Sequence, residues 1–107
     1  MKKLFTKICI ASDHAGYELK EKIKDYLINK SISVIDLGPF SKVSVDYPDY
    51  AKRVTKRLIS RKSDAGILIC GSGIGMSIAS NRFKNVRSAL VNSSTLSKLS
   101  RKHNNAN

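Results

Sequence analysis

The sequence predicts an α/β domain, a three-layer αβα sandwich built on a parallel sheet. Short apolar runs alternate along the chain with longer stretches in which apolar residues recur every three or four positions, so strands and helices alternate. Four strands and four helices in this order favour a parallel sheet, and right-handed crossovers leave helices on both of its faces. The chain of 107 residues is long enough for one domain, residues 1–107, with one hydrophobic core.

Four short apolar runs are the predicted strands. The first covers residues 7–12, and the second covers residues 32–37, where Gly38-Pro39 ends it. The third covers residues 67–70 and the fourth residues 86–91. Apolar runs of this length are typical of strands that are buried on both faces of a parallel sheet.

The first predicted helix, residues 17–29, has one apolar and one polar face. The apolar positions, which should face the sheet, are Leu19, Ile23, Tyr26 and Leu27. The polar positions, which should face solvent, are Lys20, Glu21, Lys24 and Asp25. This helix is therefore expected to lie on the surface and to return the chain to the sheet.

The other three helices follow from the same spacing and from residues that begin helices. Pro48 suits the first turn of the second helix, which should end near residue 62, because its missing N–H costs nothing there. Ser93 or Ser94 is expected to cap the fourth helix, which should continue to about residue 102. The apolar positions of the third helix are Ile74, Ile78, Ala79 and Phe83.

Charge and hydropathy limit the class of protein. The net charge is +12, but the basic residues are spread over every helix without interleaved aromatic residues, which predicts a solvated basic surface and no nucleic-acid partner. No apolar run approaches the roughly 20 residues that span a bilayer, so no membrane association is predicted. The start, residues 1–7, lacks the apolar core of a signal peptide, and both cysteines fall in predicted strands; these features indicate a cytoplasmic protein.

A glycine-rich loop connects the third strand to the third helix. Gly71, Gly73 and Gly75 follow the strand directly, and the N–H groups at the start of a helix can bind an anion. Met76 stands where a dinucleotide-binding fingerprint requires glycine, and the Gly-Lys-Ser/Thr of a P-loop is absent. The loop is thus predicted to hold one phosphate or one developing oxyanion, although a purely structural tight turn explains the spacing equally well.

Polar residues follow each predicted strand. Asp13 and His14 come after the first strand, Asp46 after the second, Cys70 ends the third, and Asn92 follows the fourth. Because ligands bind at the carboxyl ends of parallel strands, these residues are candidates for one site. Two alternatives remain open: Asp13 could cap the first helix with His14 merely exposed, and Asp46 could serve only as the N-cap of the second helix.

The two cysteines have different predicted roles. Cys70 ends a strand beside helix-start N–H groups, which favour the thiolate and therefore a reactive role; the alternative is a small buried apolar residue. That alternative is preferred for Cys9, which lies within a strand. No grouping of Cys, His and Asp has the spacing of metal ligands, so no metal is predicted. His103 lies in a polar segment and by itself indicates nothing.

Several separated motifs occur in order along the whole chain. They are Ser12-Asp13-His14-Ala15-Gly16, Asp36-Leu37-Gly38, Asp46-Tyr47-Pro48, Ile69-Cys70-Gly71-Ser72-Gly73-Ile74-Gly75-Met76-Ser77-Ile78-Ala79, Asn81, Arg87 and Ser100-Arg101-Lys102-His103-Asn104. In sequence and spacing they closely resemble the ribose-5-phosphate isomerase B family, which includes the galactose-6-phosphate isomerase subunits. The resemblance implies a Rossmann-like sheet and a metal-free aldose–ketose isomerase without cofactors, working as a homodimer or tetramer with sites at the subunit boundary.

The resemblance also implies the roles of individual residues. Cys70 is the expected base that interconverts ribose 5-phosphate and ribulose 5-phosphate through a cis-enediolate, and Ser72 and His103 are expected to assist ring opening. The oxyanion would be held by the backbone of Gly71, Gly73, Ile74 and Gly75. The residues expected to bind or line the sugar phosphate are Asp13, His14, Asp46, Tyr47 and Asn104. Some relatives carry a glutamate base in place of Met76, so Cys70 with Met76 indicates the version that uses cysteine.

One departure from the family concerns the carboxyl-terminal part. Members of the family continue from the His-Asn segment into a further strand and a long helix, which carries arginines for the phosphate and much of the dimer contact. The 107-residue sequence is expected to lack these elements and therefore to expose a sheet edge. A galactose-6-phosphate isomerase-type subunit and a non-catalytic remnant of the fold are the alternative functions.

Overall fold

The computed structural model describes residues 5–107, in which three parallel strands form a sheet with the order β2-β1-β3. The strands are β1 (Lys7–Ser12), β2 (Ser33–Asp36) and β3 (Ala65–Ile69). The helices are α1 (Tyr17–Asn29), α2 (Tyr47–Ile59), α3 (Ile74–Ser80) and α4 (Ser94–Asn104). The predicted α/β sandwich with a parallel sheet is confirmed.

The central strand β1 forms the core because it pairs on both sides. Ile8 lies opposite Val34 of β2 and Ala65 of β3, and the parallel register continues along the strand. Its side chains alternate between two apolar clusters, one under α1 and one under α2. The cluster under α1 contains Ile8, Leu27 and Ala65, and the cluster under α2 contains Cys9, Ala11 and Val54. Helices therefore cover both faces of the sheet.

The orientation predicted for α1 is partly wrong. Leu27 is buried as expected, but Leu19 and Tyr26 are 51% and 61% exposed. Lys20, which was expected to face solvent, is completely buried. The reason is a carboxylate at the end of β2: Asp36 accepts a hydrogen bond from Lys20 Nζ at 2.6 Å, so the charge is paired inside the protein.

The predicted apolar face of α3 is also wrong. Ile74 and Ile78 are 54% and 58% exposed, whereas Met76 and Ser80 are buried. The Ser80 hydroxyl donates to the Met76 carbonyl at 2.7 Å, so this polar group is satisfied within the helix. The helix ends at Ser80, so Phe83 lies beyond it.

The fourth predicted strand, residues 86–91, does not form among the described residues. Gly66 in β3 donates its N–H to the Asn107 carbonyl at 2.9 Å, and Asn107 N–H donates to the Arg87 carbonyl at 2.9 Å. Asn107 therefore lies between Gly66 of β3 and Arg87, so Arg87 does not pair with β3 directly. Without an adjacent strand, this segment has no ladder of backbone hydrogen bonds to join.

The fourth helix begins as predicted. Ser93 is the N-cap, and its hydroxyl accepts a hydrogen bond from Leu96 N–H at 3.1 Å. Its apolar residues Leu96 and Leu99 are 48% and 40% exposed. No helix in residues 5–107 has the length and apolar character required to cross a membrane.

Candidate active site

The loops that follow the three strands meet at one edge of the sheet. Asp13 N–H donates to the Ile69 carbonyl at the end of β3 at 3.0 Å, and Ser12 N–H donates to the Gly38 carbonyl beyond β2 at 3.1 Å. These bonds connect the end of β1 to the chain after each neighbouring strand. The predicted convergence at the carboxyl edge is confirmed for the loops after β1, β2 and β3. Asn92 does not follow a strand, because residues 86–91 form none among the described residues.

Gly16 is required where the first loop crosses β3. A Cβ atom at this position would lie 2.7 Å from both the Ile69 carbonyl oxygen and its Cγ2 methyl group. At Gly71, on the facing loop, the nearest atom to an added Cβ is the Ala15 methyl group at 3.9 Å, which is ordinary van der Waals contact.

We expect Gly16→Ala to lower the free energy of unfolding by about 1–3 kcal/mol, because backbone must move to relieve the overlap. Gly71→Ala, the matched control in the same region, should change it by less than about 0.5 kcal/mol. Urea unfolding followed by circular dichroism measures both values. Equal stability of the two variants would contradict the close approach of the loops.

Cys70 lies immediately after β3 and is half-buried. Its Sγ accepts a hydrogen bond from Gly73 N–H at 3.1 Å, so a backbone donor points at the sulfur and would solvate the charge of a thiolate. The turn requires glycine at this donor, because Gly73 has φ of 82° and a Leu90 methyl group occupies the space where a Cβ would stand. Ser72 is exposed, and its hydroxyl accepts from Ile74 N–H at 3.2 Å.

Tyr47 approaches the glycine loop from the start of α2. Its ring carbons lie 2.8 Å from the position of a Cβ on Gly75, so the aromatic ring rests on the glycine. Asp46 is the N-cap of α2 by position, but its side chain makes no capping hydrogen bond. The capping interpretation therefore does not account for the exposed carboxyl group of Asp46. The Tyr47–Gly75 contact could not be found from the sequence, since nothing local pairs these residues.

Asp13 and His14 make different contacts within their loop. Asp13 Oδ1 accepts from Gly16 N–H at 2.9 Å and closes the turn before α1. Gly16 is the N-cap of α1 and no side chain caps this helix, so Asp13 is not its cap. His14 is exposed, and its Nδ1 accepts from Val45 N–H at 3.3 Å.

His103 and Asn104 form the last turn of α4. The Asn104 carbonyl accepts from Arg87 Nε at 2.7 Å, which attaches the end of α4 to the segment 86–91. No hydrogen bond among the described residues links His103 or Asn104 to the Cys70 loop. Hydrogen bonds and the Tyr47 ring contact thus bring together Asp13, His14, Tyr47 and the glycine loop. Among the described residues, no hydrogen bond joins His103 or Asn104 to this group.

Cys9 and Cys70 differ in their surroundings. Cys9 is completely buried, its Sγ lies 3.6 Å from the Ala65 carbonyl, and burial raises the pKa of its thiol above the ordinary value of 9.0. The folded chain holds the Cys9 proton more tightly than the unfolded chain. The protonated thiol therefore contributes fully to the free energy of unfolding below the unfolded pKa of 9.0, and this contribution is lost as pH rises through the higher pKa of the folded chain. The prediction that Cys9 is a buried apolar residue is confirmed.

We expect one thiol of the native protein to react with an aromatic disulfide reagent at about pH 8, because only Cys70 is accessible. The second thiol should react when guanidinium unfolds the chain. Absorbance of the released thiolate before and after denaturation counts the two groups, and Cys70→Ser should remove the fast one. Two fast thiols in the native protein would contradict the burial of Cys9.

The described part of the chain contains no group of three His, Cys, Asp or Glu side chains that could bind a metal ion together.

A separate pocket of about 330 Å³ lies beside the end of α4. Its lining residues are Asn81, Arg87, Ser88, Ala89, Asn104 and Ala106. Asn81 supports this region, since its side chain donates to the Ser88 carbonyl and accepts from Ser88 N–H, both at 2.9 Å.

The chain is similar to known isomerases over nearly its whole length. The family model described as Ribose/Galactose Isomerase matches residues 8–107. Ribose-5-phosphate isomerase B of Escherichia coli is 41% identical over 101 residues, which cover 94% of this chain and 68% of the relative. A Thermotoga maritima ribose 5-phosphate isomerase structure superposes with a TM-score of 0.94 at 56% identity, covering 95% of this chain and 70% of that one.

A second solved structure contains a ligand. Ribose-5-phosphate isomerase B of Mycoplasma genitalium with bound ribulose-5-phosphate gives a TM-score of 0.87 at 44% identity, covering 94% of this chain and 67% of that one. The parallel Rossmann-like sheet, the polar loops at its carboxyl edge and these similarities define a sugar-phosphate isomerase. The chain belongs to the Ribose/Galactose Isomerase family.

Proposed function

We propose that this chain is a ribose-5-phosphate isomerase domain that interconverts ribose 5-phosphate and ribulose 5-phosphate through a cis-enediolate, with Cys70 as the base. The observation that carries the proposal is the hydrogen bond from Gly73 N–H to Cys70 Sγ at 3.1 Å. It holds a half-buried thiol at the end of a strand, beside the loop that contains Asp13 and His14. The similarity to solved ribose-5-phosphate isomerases supports the choice of substrate.

The proposed reaction moves a proton from C2 to C1 and another from O2 to O1, and it leaves the carbon skeleton unchanged. The Cys70 thiolate removes the C2 proton of the open-chain aldose, and the electron pair forms the C1–C2 double bond as negative charge develops on O1. The backbone of Gly71, Gly73, Ile74 and Gly75 is proposed to stabilise that oxyanion. Return of the proton to C1, with proton exchange between the two oxygens, gives the ketose.

Other residues are proposed to bind the sugar phosphate or to open its ring. Ser72 and His103 would assist ring opening, with His103 as proton donor, and Asn104 would bind substrate; these roles rest on the family resemblance. For Asp13, His14, Asp46 and Tyr47 the geometry adds support, because their loops adjoin the glycine loop. The net charge of +12 favours an anionic substrate through long-range attraction.

A homodimer, or a tetramer of such dimers, is proposed for the assembled enzyme. The support is the apolar surface beside the glycine loop, where Ile74, Ile78 and Leu90 are 54%, 58% and 49% exposed. Apolar residues grouped in this way are typical of an interface between chains. Sites at the subunit boundary would follow, because the same surface adjoins Gly73.

The direct test of the proposed substrate is turnover by the purified chain. Ribose 5-phosphate should be converted to ribulose 5-phosphate, measured by NMR, with a higher kcat/KM than galactose 6-phosphate. The hexose phosphate is the second candidate because the family includes galactose isomerases. A higher kcat/KM for the hexose would assign that function instead, and no turnover of either sugar by folded protein would favour a non-catalytic remnant.

A further inference from the structure

Lys20 is a charged residue placed entirely inside the protein. Its side chain is 0% exposed, and its Nζ lies 2.6 Å from Asp36 Oδ2 and 2.8 Å from Glu21 Oε1. The same ammonium group lies over the rings of Tyr17 and Phe40, at 5.2 and 5.7 Å from their centroids. A buried ammonium is costly unless its partners are fixed, so this arrangement requires a defined position for each of them.

Asp36 transmits this constraint to the loop beyond β2. Its other oxygen, Oδ1, accepts from Gly38 N–H at 2.9 Å, and the Gly38 carbonyl accepts from Ser12 N–H at 3.1 Å. Lys20 itself belongs to the first turn of α1, where its N–H donates to the Gly16 carbonyl at 2.9 Å. One ion pair therefore links the start of α1 to the start of the segment 37–46.

Both sides of the candidate active site depend on these two linked elements. The loop before α1 carries Asp13 and His14, and the segment 37–46 ends at Val45 and Asp46, directly before Tyr47. The two sides meet where Val45 N–H donates to His14 Nδ1 at 3.3 Å. This contact is exposed and long, so it is weak by itself and needs support from the rest of the segment.

We propose that the buried Lys20–Asp36 ion pair is a positioning device, which holds the segment 37–46 against the His14 loop and so fixes the orientation of the His14 ring and the place of Asp46. Lys20 and Asp36 are positioning residues: they act through the backbone of Gly38 and do not touch the substrate. The positioning stands on the contacts described here, whereas its consequence for substrate binding rests on the proposed function.

The structure provides a matched control for the test. Lys42 in the same segment forms an ion pair with Glu18 of α1, so it joins the same two elements. The side chains of this second pair are 65% and 68% exposed, and an exposed pair contributes little. Lys24 Nζ also lies 3.0 Å from Asp36 Oδ2, so it should still neutralise the carboxylate when Lys20 is replaced.

The experiment compares Lys20→Met, Asp36→Asn and Lys42→Met by NMR of the protein without substrate. In the first two variants the Val45 amide should exchange with solvent at least about tenfold faster, and the ring ¹⁵N shifts of His14 should move as Nδ1 loses its donor. Lys42→Met should match the wild type in both measurements. Wild-type exchange and ring shifts in a folded Lys20→Met would overturn the proposal.

Asp36→Asn covers the case in which Lys20→Met does not fold, since it preserves volume and the acceptor for Gly38 N–H. If neither variant folds, the Lys20–Asp36 ion pair is needed for the stability of the whole domain, and the proposed positioning role is overturned. With turnover established, KM should rise about tenfold with a smaller change in kcat. If the wild-type protein is inactive while the variants show the expected NMR changes, the proposed function is refuted and the positioning role stands.

Discussion

Replacement of Cys70 by alanine should lower kcat for ribose 5-phosphate by about 10²- to 10⁴-fold, which is the usual contribution of a general base. The reason is that alanine leaves no group able to take the C2 proton at the end of β3. The fold should be unchanged, because Cys70 is half-buried and its main link to the loop is one hydrogen bond from Gly73. Initial rates with saturating substrate measure the effect.

Cys9→Ala is the control for loss of a thiol elsewhere in the sheet. Cys9 packs in the cluster under α2 with Ala11 and Val54, so this variant should lose stability while each folded molecule keeps its activity. Rates are therefore compared per folded protein, determined by circular dichroism. A Cys70→Ala variant that is as active as Cys9→Ala would exclude Cys70 as the base.

Replacement of Ile10 by alanine should lower the free energy of unfolding by about 3 kcal/mol, because it leaves a cavity in the central strand. Ile10 is 0% exposed and lies between Asp36 of β2 and Ile67 of β3. Ile35 is the matched control: it lies on the edge strand β2 and is 40% exposed.

The urea midpoint at constant slope measures both changes. Ile35→Ala should cost less than about 1 kcal/mol, since its side chain keeps part of its contact with water in the folded state. If the two isoleucine variants unfolded at the same urea concentration, β1 would not be the centre of the core. The expected cost for Ile10→Ala is a large fraction of the stability of a domain of this size.

Local signals predicted most of the fold. The bounds of β1 and α1 are those expected from the apolar runs and the helical spacing, and Pro48 and Ser93 mark the starts of α2 and α4. These elements are determined by neighbouring residues, so the sequence contains the necessary information. The prediction of a strand at 86–91 was wrong because a strand also needs a neighbouring strand to pair with. Asn107 lies between β3 and Arg87, at the position that such a neighbouring strand would occupy.

The candidate site was predictable to the extent that parallel strands align their carboxyl ends. That rule placed Asp13, His14 and Cys70 on neighbouring loops, as the structure shows. The burial of Lys20 could not be predicted, because its partner Asp36 is 16 residues away and belongs to another element. Helical spacing alone assigns a lysine to the solvent side, and only the tertiary position of a carboxylate reverses that assignment.

Exchange of substrate hydrogen with solvent shows whether Cys70 moves the C2 proton through an enediolate. The wild-type chain would be incubated with ribose 5-phosphate in deuterium oxide, and the ribulose 5-phosphate formed would be examined by NMR. A base that holds the proton while an enediolate exists predicts deuterium at C1 of the ketose, and Cys70→Ala should form labelled product at least about a hundredfold more slowly. Turnover without any deuterium in the product would contradict the enediolate mechanism, and equally fast labelling by Cys70→Ala would exclude Cys70 as the base.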